Sequence, residues 1–377
     1  MKIKTLLTRC LMRLCGIFPM QDKAVFCAYY GKYHNCNPHS VFTEMQRQRP
    51  DWTYVWLMQD DSVQIEGATV VRPHSLKAIY HLATAAIWVD NARKPLWTVK
   101  RRGQYYVQTW HGGIALKQVE KDAEESLTEE YIANAKNDSA CADLFLSGSR
   151  WQTQNYKDAF WYDGDILEYG LPRSDVLFRP AEKTRQQVCD FYGLSDDTHL
   201  LLYAPTFRAS YTLSPYLTRE QCETLLEALA ARFGGKWAAL VRLHPNVAEK
   251  QNAISYSDTI LNGSKYNEIN DLILACDVLI TDYSSCMFDA MSAKKTVFLY
   301  LPDREAYLSD RGFYWDMAEL PFAKADTCEG LVQNIHAHEA ASYEAAVADF
   351  EAKTGIVCNA NASRDAVSYI LAQCGRG

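Results

Sequence analysis

The sequence predicts an α/β protein with parallel sheets, arranged as two Rossmann-type halves. Apolar runs of strand length alternate with helix-like segments along the whole chain, which is typical of parallel strands joined by crossover helices. The alternation starts again after a polar segment, residues 172–183, that Pro172 and Pro180 bracket. Since 377 residues exceed the usual size of one domain, we expect one domain over residues 21–175 and another over residues 176–377.

The first half contains short runs rich in Val, Ile, Tyr and Trp, followed by segments with apolar residues at helical spacing. These patterns predict strands at 24–30, 54–59, 69–72, 87–91, 105–110, 144–147 and 166–169, and helices at 38–48, 75–85, 129–140 and 150–160. In the second half they predict strands at 200–204, 238–243, 259–261, 278–281 and 297–301, and helices at 218–232, 268–275 and 286–293 and near the C-terminus.

Residues 1–20 form a separate basic, amphipathic segment. Lys4, Arg9 and Arg13 interrupt its apolar residues, so no uncharged run reaches the roughly 20 residues that span a bilayer. The same charges break the single apolar block of a signal peptide. Two interpretations are open: a helix that lies on an anionic membrane surface, and a first helix packed on the protein. The recurrence of charge within the apolar stretch favours the membrane surface.

Composition excludes some classes of function. The formal net charge of -7 argues against non-specific nucleic-acid binding. Twelve cysteines are scattered without a CxxC pair, a usage that favours a reducing cytoplasm. The chain has no Walker A sequence, no HExxH and no tight His/Cys cluster with zinc spacing. We therefore expect no metal and no cofactor to be required, although Mg²⁺ often accompanies a diphosphate.

The first polar cluster follows the strand predicted at 105–110. His111 lies at the end of this strand, directly before Gly112 and Gly113. Two glycines allow a tight turn and a close approach of backbone to a ligand. A histidine in this position can act as a general base, because its ordinary pKa is close to neutral. The alternative is a structural histidine beside a turn.

Two further clusters follow strands of the second half. Thr206 and Arg208 come after the strand predicted at 200–204, and arginine binds phosphate through charge-assisted hydrogen bonds. Arg242 and His244 alternate along the strand predicted at 238–243, so we expect both on one face. Such a pair at a strand end suits a diphosphate. The alternatives are a loop arginine at the surface and a solvent-facing pair on an edge strand.

The fourth cluster is the most informative. An apolar strand, 278–281, runs into Asp282 and then into Ser284 and Ser285, which begin a predicted helix. Hydroxyls and backbone N–H groups at a helix start form a ready anion site. Asp289 lies four residues beyond Ser285, on the same helix face, where a carboxylate can orient a ribose hydroxyl or an arginine. The cluster suggests a phosphorylated ligand, a nucleotide above all; the alternative is an ordinary N-cap.

Taken in order, these clusters resemble the CDP-glycerol glycerophosphotransferase family of teichoic acid biosynthesis. The resemblance covers residues 24–370 and rests on Gly31, Tyr33, Asn37-Pro38, Gln108-Thr109-Trp110-His111-Gly112, Tyr203-Ala204-Pro205-Thr206-Phe207-Arg208, Arg242-Leu243-His244-Pro245, Ile280-Thr281-Asp282-Tyr283-Ser284-Ser285, Phe288-Asp289 and Leu299-Tyr300. It departs from the family at Gly113–Lys117, where the family commonly has Pro-Leu-Lys. The compact length resembles the primase members.

The resemblance implies a GT-B-like fold: two Rossmann-type domains with a cleft between them, the first on the acceptor side and the second binding the CDP-alditol. It implies transfer of glycerol phosphate from CDP-glycerol to a hydroxyl of an undecaprenyl-diphosphate-linked saccharide, with release of CMP, by a peripheral enzyme at the cytoplasmic face of the cell membrane. His111 would be the general base. His244, with Arg242, would contact the donor diphosphate, and Gly112, Thr206, Arg208, Ser284, Ser285 and Asp289 would line the substrate sites.

Three alternatives stay open. CDP-ribitol could replace CDP-glycerol as the donor. A nucleotide-sugar glycosyltransferase or epimerase could share the fold, because fold alone does not fix function. A membrane-bound nucleotide-binding scaffold without activity is the non-enzymatic alternative. The intact His111 cluster and the Ser284-Ser285 pair favour the phosphotransferase.

Overall fold

The computed structural model describes residues 3–206, 216–243, 255–304 and 312–375. The chain divides into two compact units. Unit 1 comprises Met1–Gly113, Val119–Asp175 and Val357–Gly377, and unit 2 comprises Ile114–Gln118 and Val176–Ile356. The chain passes from unit 1 to unit 2 after Asp175. The return of the chain to unit 1 at Val357 is not predicted from the sequence.

Unit 1 is built on parallel strands joined by helices. Up to Asp175 its helices are α1 (Ile3–Cys15), α2 (Cys36–Gln48), α3 (Leu76–Thr84), α4 (Glu129–Cys141) and α5 (Arg150–Ala159). Its strands are β1 (Gln21–Cys27), β2 (Thr53–Leu57), β3 (Thr69–Val71), β4 (Ala85–Asp90), β5 (Tyr105–Gln108), β6 (Leu144–Leu146) and β7 (Asp165–Leu167). The strands form one parallel sheet in the order β3-β2-β1-β4-β5-β6-β7.

Both faces of this sheet are covered, which explains why its strands are continuous apolar runs. Along β1, Phe26 points into a core that includes Phe42 of α2 and Trp56. Its neighbour Val25 points to the opposite face, where Trp88 and the residues of α3 pack. Successive side chains of a strand alternate between the two faces, so one strand contributes to both cores.

Unit 2 repeats this architecture. Its strands are β8 (Thr198–Ala204), β9 (Lys236–Val241), β10 (Ile260–Asn262), β11 (Val278–Thr281), β12 (Thr296–Tyr300) and β13 (Ala323–Ala325). Its helices are α6 (Glu182–Tyr192), α7 (Arg219–Phe233), α8 (Ile269–Ala275), α9 (Cys286–Ser292), α10 (Cys328–His336) and α11 (Ala340–Thr354). The parallel sheet has the order β10-β9-β8-β11-β12-β13. A last helix, α12 (Ala362–Gln373), belongs to unit 1 and packs on α2.

Strand order reverses once in each sheet. In unit 1 the chain builds outward from β1 to β3 and then from β4 to β7, so the reversal lies between β1 and β4. In unit 2 it lies between β8 and β11. Crossover connections leave opposite faces at such a point and open a crevice beyond the carboxyl ends of the two strands. The two reversal points therefore mark where each unit can hold a ligand.

Helix α1 packs on unit 1 with one face and leaves apolar residues exposed on the other. Met12 is buried against α3, and the Arg9 side chain donates to the carbonyl of Leu96, so one face packs on unit 1. Ile3, Leu7 and Leu14 are 79%, 65% and 63% exposed on the other face. Across the parts of the chain that the structure describes, no helix is long and apolar enough to cross a membrane.

A buried ionic network lies beneath the carboxyl end of β5. The Arg93 guanidinium donates to Glu120 at 2.7 Å and to Asp138 at 3.2 Å, and the three side chains are at most 2% exposed. Asp138 also accepts hydrogen bonds from the Tyr106 hydroxyl at 2.7 Å and from Gln108 Nε2 at 3.1 Å. Such a network is stable only when all its members are paired, because each buried charge has lost its hydration.

Replacing Arg93 with alanine should lower the free energy of unfolding by about 3–5 kcal/mol, because two buried carboxylates lose their cation. Urea unfolding followed by circular dichroism measures the change. Arg72→Ala is the matched control, since Arg72 pairs with Asp61 at the surface, where the side chains are 65% and 45% exposed; this variant should lose at most about 1 kcal/mol. Equal losses in both variants would contradict the role given to the network.

Candidate active site

His111 lies at the reversal point of the unit 1 sheet. Its Nδ1 is 2.7 Å from the carbonyl oxygen of Asn91, the residue that follows β4. Because a carbonyl only accepts, Nδ1 carries the proton in this contact, and the neutral ring keeps its lone pair on Nε2. The Tyr29 ring, which follows β1, lies 5.4 Å from the His111 ring between centroids. The β1–β4 crevice therefore contains an oriented imidazole with the tautomer of a base.

The surroundings of the imidazole keep it neutral. The residue retains an exposed edge, yet desolvation within the packed aromatic surroundings lowers the pKa of His111 below 6.5. The nearby positive charges of Arg173 and Arg93 lower it further, and the hydrogen bond to Asn91 opposes both effects. At pH 7 the unprotonated form that a general base requires is thus the major one.

Asn37 holds the backbone on the N-terminal side of His111. This asparagine, fully buried near the start of α2, donates from Nδ2 to the carbonyls of Thr109 at 3.2 Å and Trp110 at 3.1 Å. Its Oδ1 accepts the backbone N–H of Arg173 at 3.0 Å. On the other side, the carbonyl of Gly112 accepts a hydrogen bond from Gln152 at 2.6 Å. The loop that carries the base is therefore fixed from both ends.

The left-handed residue of this loop is Trp110, with φ of 51°, and not one of the glycines after His111. The buried network holds Trp110 in this conformation: Gln108 Oε1 accepts the N–H of Trp110 at 3.0 Å, and the Arg93 guanidinium lies 5.5 Å from the Trp110 ring centroid. Strand β5 consequently ends at Gln108, two residues before the predicted end.

At the reversal point of unit 2, Asp282 joins the two strand exits. Its carboxylate accepts the backbone N–H of Thr206 at 2.9 Å, the Thr206 hydroxyl, and the N–H of Tyr283 at 2.6 Å. Because a hydroxyl has a single hydrogen, Thr206 in this state faces a ligand only as an acceptor. A ligand hydroxyl could donate to this oxygen, whereas an ionised phosphate oxygen could not.

Ser284, Ser285 and Asp289 lie together after β11. Both serines are half-buried. The Ser284 hydroxyl accepts the N–H of Cys286 at 3.4 Å, whereas Ser285 is the N-cap residue of α9 without a capping bond from its side chain among the described residues. Asp289 is half-buried in the first turn of α9. The predicted pair of hydroxyls is therefore present at the β8–β11 crevice.

Arg242 does not have the predicted position on a strand. Strand β9 ends at Val241, two residues before the predicted end, so Arg242 follows the strand. The Arg242 guanidinium donates to the carbonyls of Gly263 at 3.0 Å, Tyr266 at 2.6 Å and Asn267 at 3.1 Å. These contacts brace the turn after β10, and they leave fewer N–H donors for a diphosphate. Arg208 and His244 lie outside the described residues.

A cavity of about 650 Å³ opens at the carboxyl ends of β12 and β13, lined by Leu301–Arg304 and Lys324–Asp326. Asp303, in its wall, accepts a hydrogen bond from the Tyr283 hydroxyl at 3.4 Å. Tyr283 follows Asp282, so the cavity adjoins the β8–β11 crevice. The sequence did not predict it, because β13 is a three-residue strand without a strong apolar pattern.

Two other parts of the site escaped prediction. Asn91 ends the strand predicted at 87–91 and was not singled out, yet its carbonyl orients His111 and its Oδ1 accepts the N–H of Tyr29 at 2.8 Å. Asn37 was quoted only for its resemblance to a family. A polar residue directly after a buried strand is the signal that could have identified Asn91; Asn37 is on a helix, and its function depends on the tertiary fold.

Two Rossmann-type units, each with polar residues at the reversal point of its sheet, form a GT-B-like fold. The chain belongs to the CDP-glycerol:poly(glycerophosphate) glycerophosphotransferase family, whose model matches residues 11–372. It is accordingly an enzyme of the CDP-glycerol phosphotransferase class.

Several known proteins are similar to this chain. A teichoic acid poly(glycerol phosphate) polymerase of Bacillus spizizenii is 31% identical over 353 residues, 89% of each chain. The polymerase of Bacillus subtilis strain 168 is 29% identical over 89% of this chain, which spans 46% of that protein. The structure of the wall teichoic acid polymerase TagF is similar with a TM-score of 0.84 and 26% identity, covering 99% of this chain and 96% of that chain.

Replacing Asn37 with alanine should reduce kcat at least about tenfold, because the His111 loop loses two carbonyl contacts, and should lower the free energy of unfolding by about 1–3 kcal/mol. Steady-state kinetics and urea unfolding measure the two effects. The control is Asn334→Ala, which removes one contact to the Lys324 carbonyl in unit 2. An Asn37→Ala enzyme with unchanged kcat would show that the loop keeps its conformation without these bonds.

Proposed function

We propose that this protein transfers glycerol phosphate from CDP-glycerol to a hydroxyl of a lipid-linked acceptor and releases CMP. The orientation of His111 carries the proposal, since Nδ1 is fixed on the Asn91 carbonyl and Nε2 keeps the lone pair. Phosphoryl transfer depends on positioning and on stabilisation of charge. The residues at the two reversal points supply both.

In the proposed mechanism, Nε2 of His111 takes the proton of the acceptor hydroxyl. The acceptor oxygen attacks the phosphorus that carries the glycerol. A new phosphorus–oxygen bond forms, the bond from this phosphorus to the bridging oxygen breaks, and CMP leaves with the bridging oxygen. The Asn91 carbonyl stabilises the imidazolium that results, because it accepts the Nδ1–H bond throughout.

Unit 2 binds the donor in this proposal. Ser284 and Ser285 offer their hydroxyls to the diphosphate, and Thr206 accepts a hydrogen bond from a hydroxyl of the donor. Asp289, in the first turn of α9, orients a ribose hydroxyl. Gly112 follows His111, and its carbonyl holds the loop through Gln152. Arg242 supports the donor site because it donates to the turn after β10. The assignment of Arg208 and His244 to the diphosphate rests only on the resemblance to the family.

The relatives support CDP-glycerol as the donor. A solved TagF structure that was soaked with CDPG is similar to this chain with a TM-score of 0.84 and 27% identity. Ribitol-phosphate enzymes are also related: a teichoic acid ribitol-phosphate primase of Bacillus spizizenii is 28% identical over 90% of both chains. CDP-ribitol is therefore the donor to test beside CDP-glycerol.

The exposed face of α1 supports peripheral attachment to the cytoplasmic face of the cell membrane. Leu7 and Leu14 expose an apolar stripe, and Lys4 and Arg13 are exposed beside it. A helix with this arrangement binds at the headgroup boundary, where it buries its apolar face and attracts anionic lipids. A lipid-linked acceptor would lie in the same surface.

Removing the base should abolish turnover. CMP release from CDP-glycerol, with a lipid-linked disaccharide as acceptor, should fall at least about a hundredfold in His111→Ala, because general base catalysis is lost. CDP-ribitol is assayed in parallel, and calorimetry checks that the variant still binds the donor. His336→Ala, a change at an exposed histidine of α10, is the control.

The pH profile gives a second readout of the same residue. Since the pKa of His111 lies below 6.5, kcat/KM should stay level near pH 7 and fall only as the pH drops through the lowered pKa and the base becomes protonated. The catalytic assignment would be removed if the acid-side fall in kcat/KM had its midpoint above pH 7, or if His111→Ala turned over normally.

The membrane proposal is tested by changing the exposed stripe without touching the packed face. The double variant Leu7→Glu/Leu14→Glu should bind vesicles of phosphatidylglycerol at least tenfold more weakly, because two charges replace the apolar side chains that enter the membrane. Wild-type attachment should weaken with added salt. The control is Phe191→Glu, at a residue of α6 that is 54% exposed. Vesicle binding that is unchanged in the double variant would rule out α1 as the anchor.

A further inference from the structure

The loop that carries His111 leaves unit 1 for five residues and then returns. Ile114–Gln118 belongs to unit 2, whereas the residues on either side of it belong to unit 1. Before this segment, the carbonyl of Gly112 is held by Gln152 at 2.6 Å. After it, Glu120 is a buried member of the ionic network beneath β5. The segment is therefore fixed close to both of its ends by unit 1.

Within unit 2 the backbone of the segment pairs with a second stretch of chain, residues 312–315. The N–H of Gln118 donates to the carbonyl of Gly312 at 2.8 Å, and the N–H of Tyr314 donates to the carbonyl of Leu116 at 2.9 Å. The two stretches form an antiparallel bridge. Leu116 is 2% exposed. The conformation of the segment is thus imposed by a partner almost 200 residues further along the chain.

The same stretch connects the segment to the β8–β11 crevice. Phe313 forms the bridge with Lys117, and its ring centroid lies 5.9 Å from that of Tyr283, in the polar cluster after β11. The indole N–H of Trp315 donates to the carbonyl of Ala115 at 3.1 Å. A continuous set of contacts therefore leads from the polar cluster of unit 2 to the segment beside the base.

The path from the segment back to the base is short. Only Gly113 separates the fixed carbonyl of Gly112 from Ile114, which is 3% exposed. One residue spans at most about 3.6 Å, so the place of Ile114 limits the places open to the His111 loop. On the return, Glu120 has φ of 56°, a left-handed conformation that a glutamate adopts only where its surroundings impose it.

We propose that Ile114–Gln118 is a positioning segment through which unit 2 sets the place of His111, so that a donor bound beside Tyr283 changes the surroundings of the base. The inference rests on the proposed function, which supplies the base and the donor, and it adds how the two are brought into register. The packing of Tyr283 on Phe313 transmits the presence of the donor to Lys117. The chain transmits it from there to His111.

Lengthening the chain beside the base tests the proposal. Two glycines are inserted between Gly112 and Gly113 of the full-length protein. The kcat of CMP release from CDP-glycerol should fall at least about tenfold, because the base loses its register with the donor. Calorimetry should give a dissociation constant for CDP-glycerol within about twofold of the wild-type value. The control is the same insertion between Asp163 and Gly164, in an exposed turn of unit 1. Equal losses of kcat in the two variants would overturn the proposal.

A point substitution tests the segment at constant chain length. Trp315→Phe removes the hydrogen bond to Ala115 and keeps a ring against Phe350, whose centroid lies 5.0 Å from that of Trp315. The kcat should fall at least about threefold, the usual effect of one hydrogen bond. Trp237→Phe is the matched control, because this indole is equally buried and donates to the carbonyl of Gly234 near the start of β9.

The pH profile of the same two variants distinguishes positioning from a general loss of stability. Burial lowers the pKa of His111 below 6.5, and a loosened loop admits water to the imidazole. The acid-side midpoint of kcat/KM should therefore move up towards 6.5 in Trp315→Phe and stay in place in Trp237→Phe. An unchanged kcat and midpoint in a Trp315→Phe protein that circular dichroism shows to be folded would overturn the proposal.

An NMR measurement separates this inference from the proposed function. The Hε1 resonance of His111, assigned by its loss in His111→Ala, is followed while CDP-glycerol is added without an acceptor. It should shift in the wild-type protein and stay in place in the variant lengthened between Gly112 and Gly113. A shift confined to the wild-type protein supports the positioning segment even if no acceptor is turned over. Equal shifts in both proteins, or turnover by a wild-type protein whose resonance does not shift, would overturn the segment and leave the proposed function standing.

Discussion

The buried contact between Arg93 and Asp138 is the constraint on which the candidate active site depends. Asp138 is fully buried and accepts hydrogen bonds from Arg93, Tyr106 and Gln108. Gln108 in turn accepts the N–H of Trp110, the left-handed residue before His111. A chain of satisfied polar groups thus extends from the core of unit 1 to the base. Loss of one member would leave buried charge unpaired, so the orientation of the imidazole is coupled to the stability of the unit.

The two reversal points use different chemistry. In unit 1 the crevice contains the rings of Tyr29 and His111, and the Asn91 carbonyl fixes the proton of the neutral imidazole on Nδ1 while burial lowers the pKa of His111. In unit 2 the crevice is formed by hydroxyls around the carboxylate of Asp282, which ties the exits of β8 and β11 together. The two crevices therefore offer different contacts to a ligand, aromatic rings and an imidazole in unit 1 and hydroxyls in unit 2.

The sequence predicted the strands because buried parallel strands are apolar runs that end at polar or breaking residues. It predicted His111 and Ser284-Ser285 because polar clusters at strand ends meet at one edge of a sheet. It missed Asn37, whose bonds reach 72 residues along the chain to Thr109, and the pairing of Arg93 with Asp138, 45 residues away. It placed the end of β9 two residues too late, because an alternating pattern does not show where a strand ends. Such contacts exist only in the tertiary fold.

The return of the chain at Val357 determines the order in which the protein can fold during synthesis. Val367 and Ile370 of α12 pack in the same core as Phe42 and Trp56, although they are made more than 300 residues later. Unit 2, by contrast, is complete before α12 leaves the ribosome. The unit that carries the base therefore closes its core last. A chain cut short before α12 would contain His111 in a unit whose core is incomplete. Its exposed apolar surface would make it prone to aggregation and to degradation.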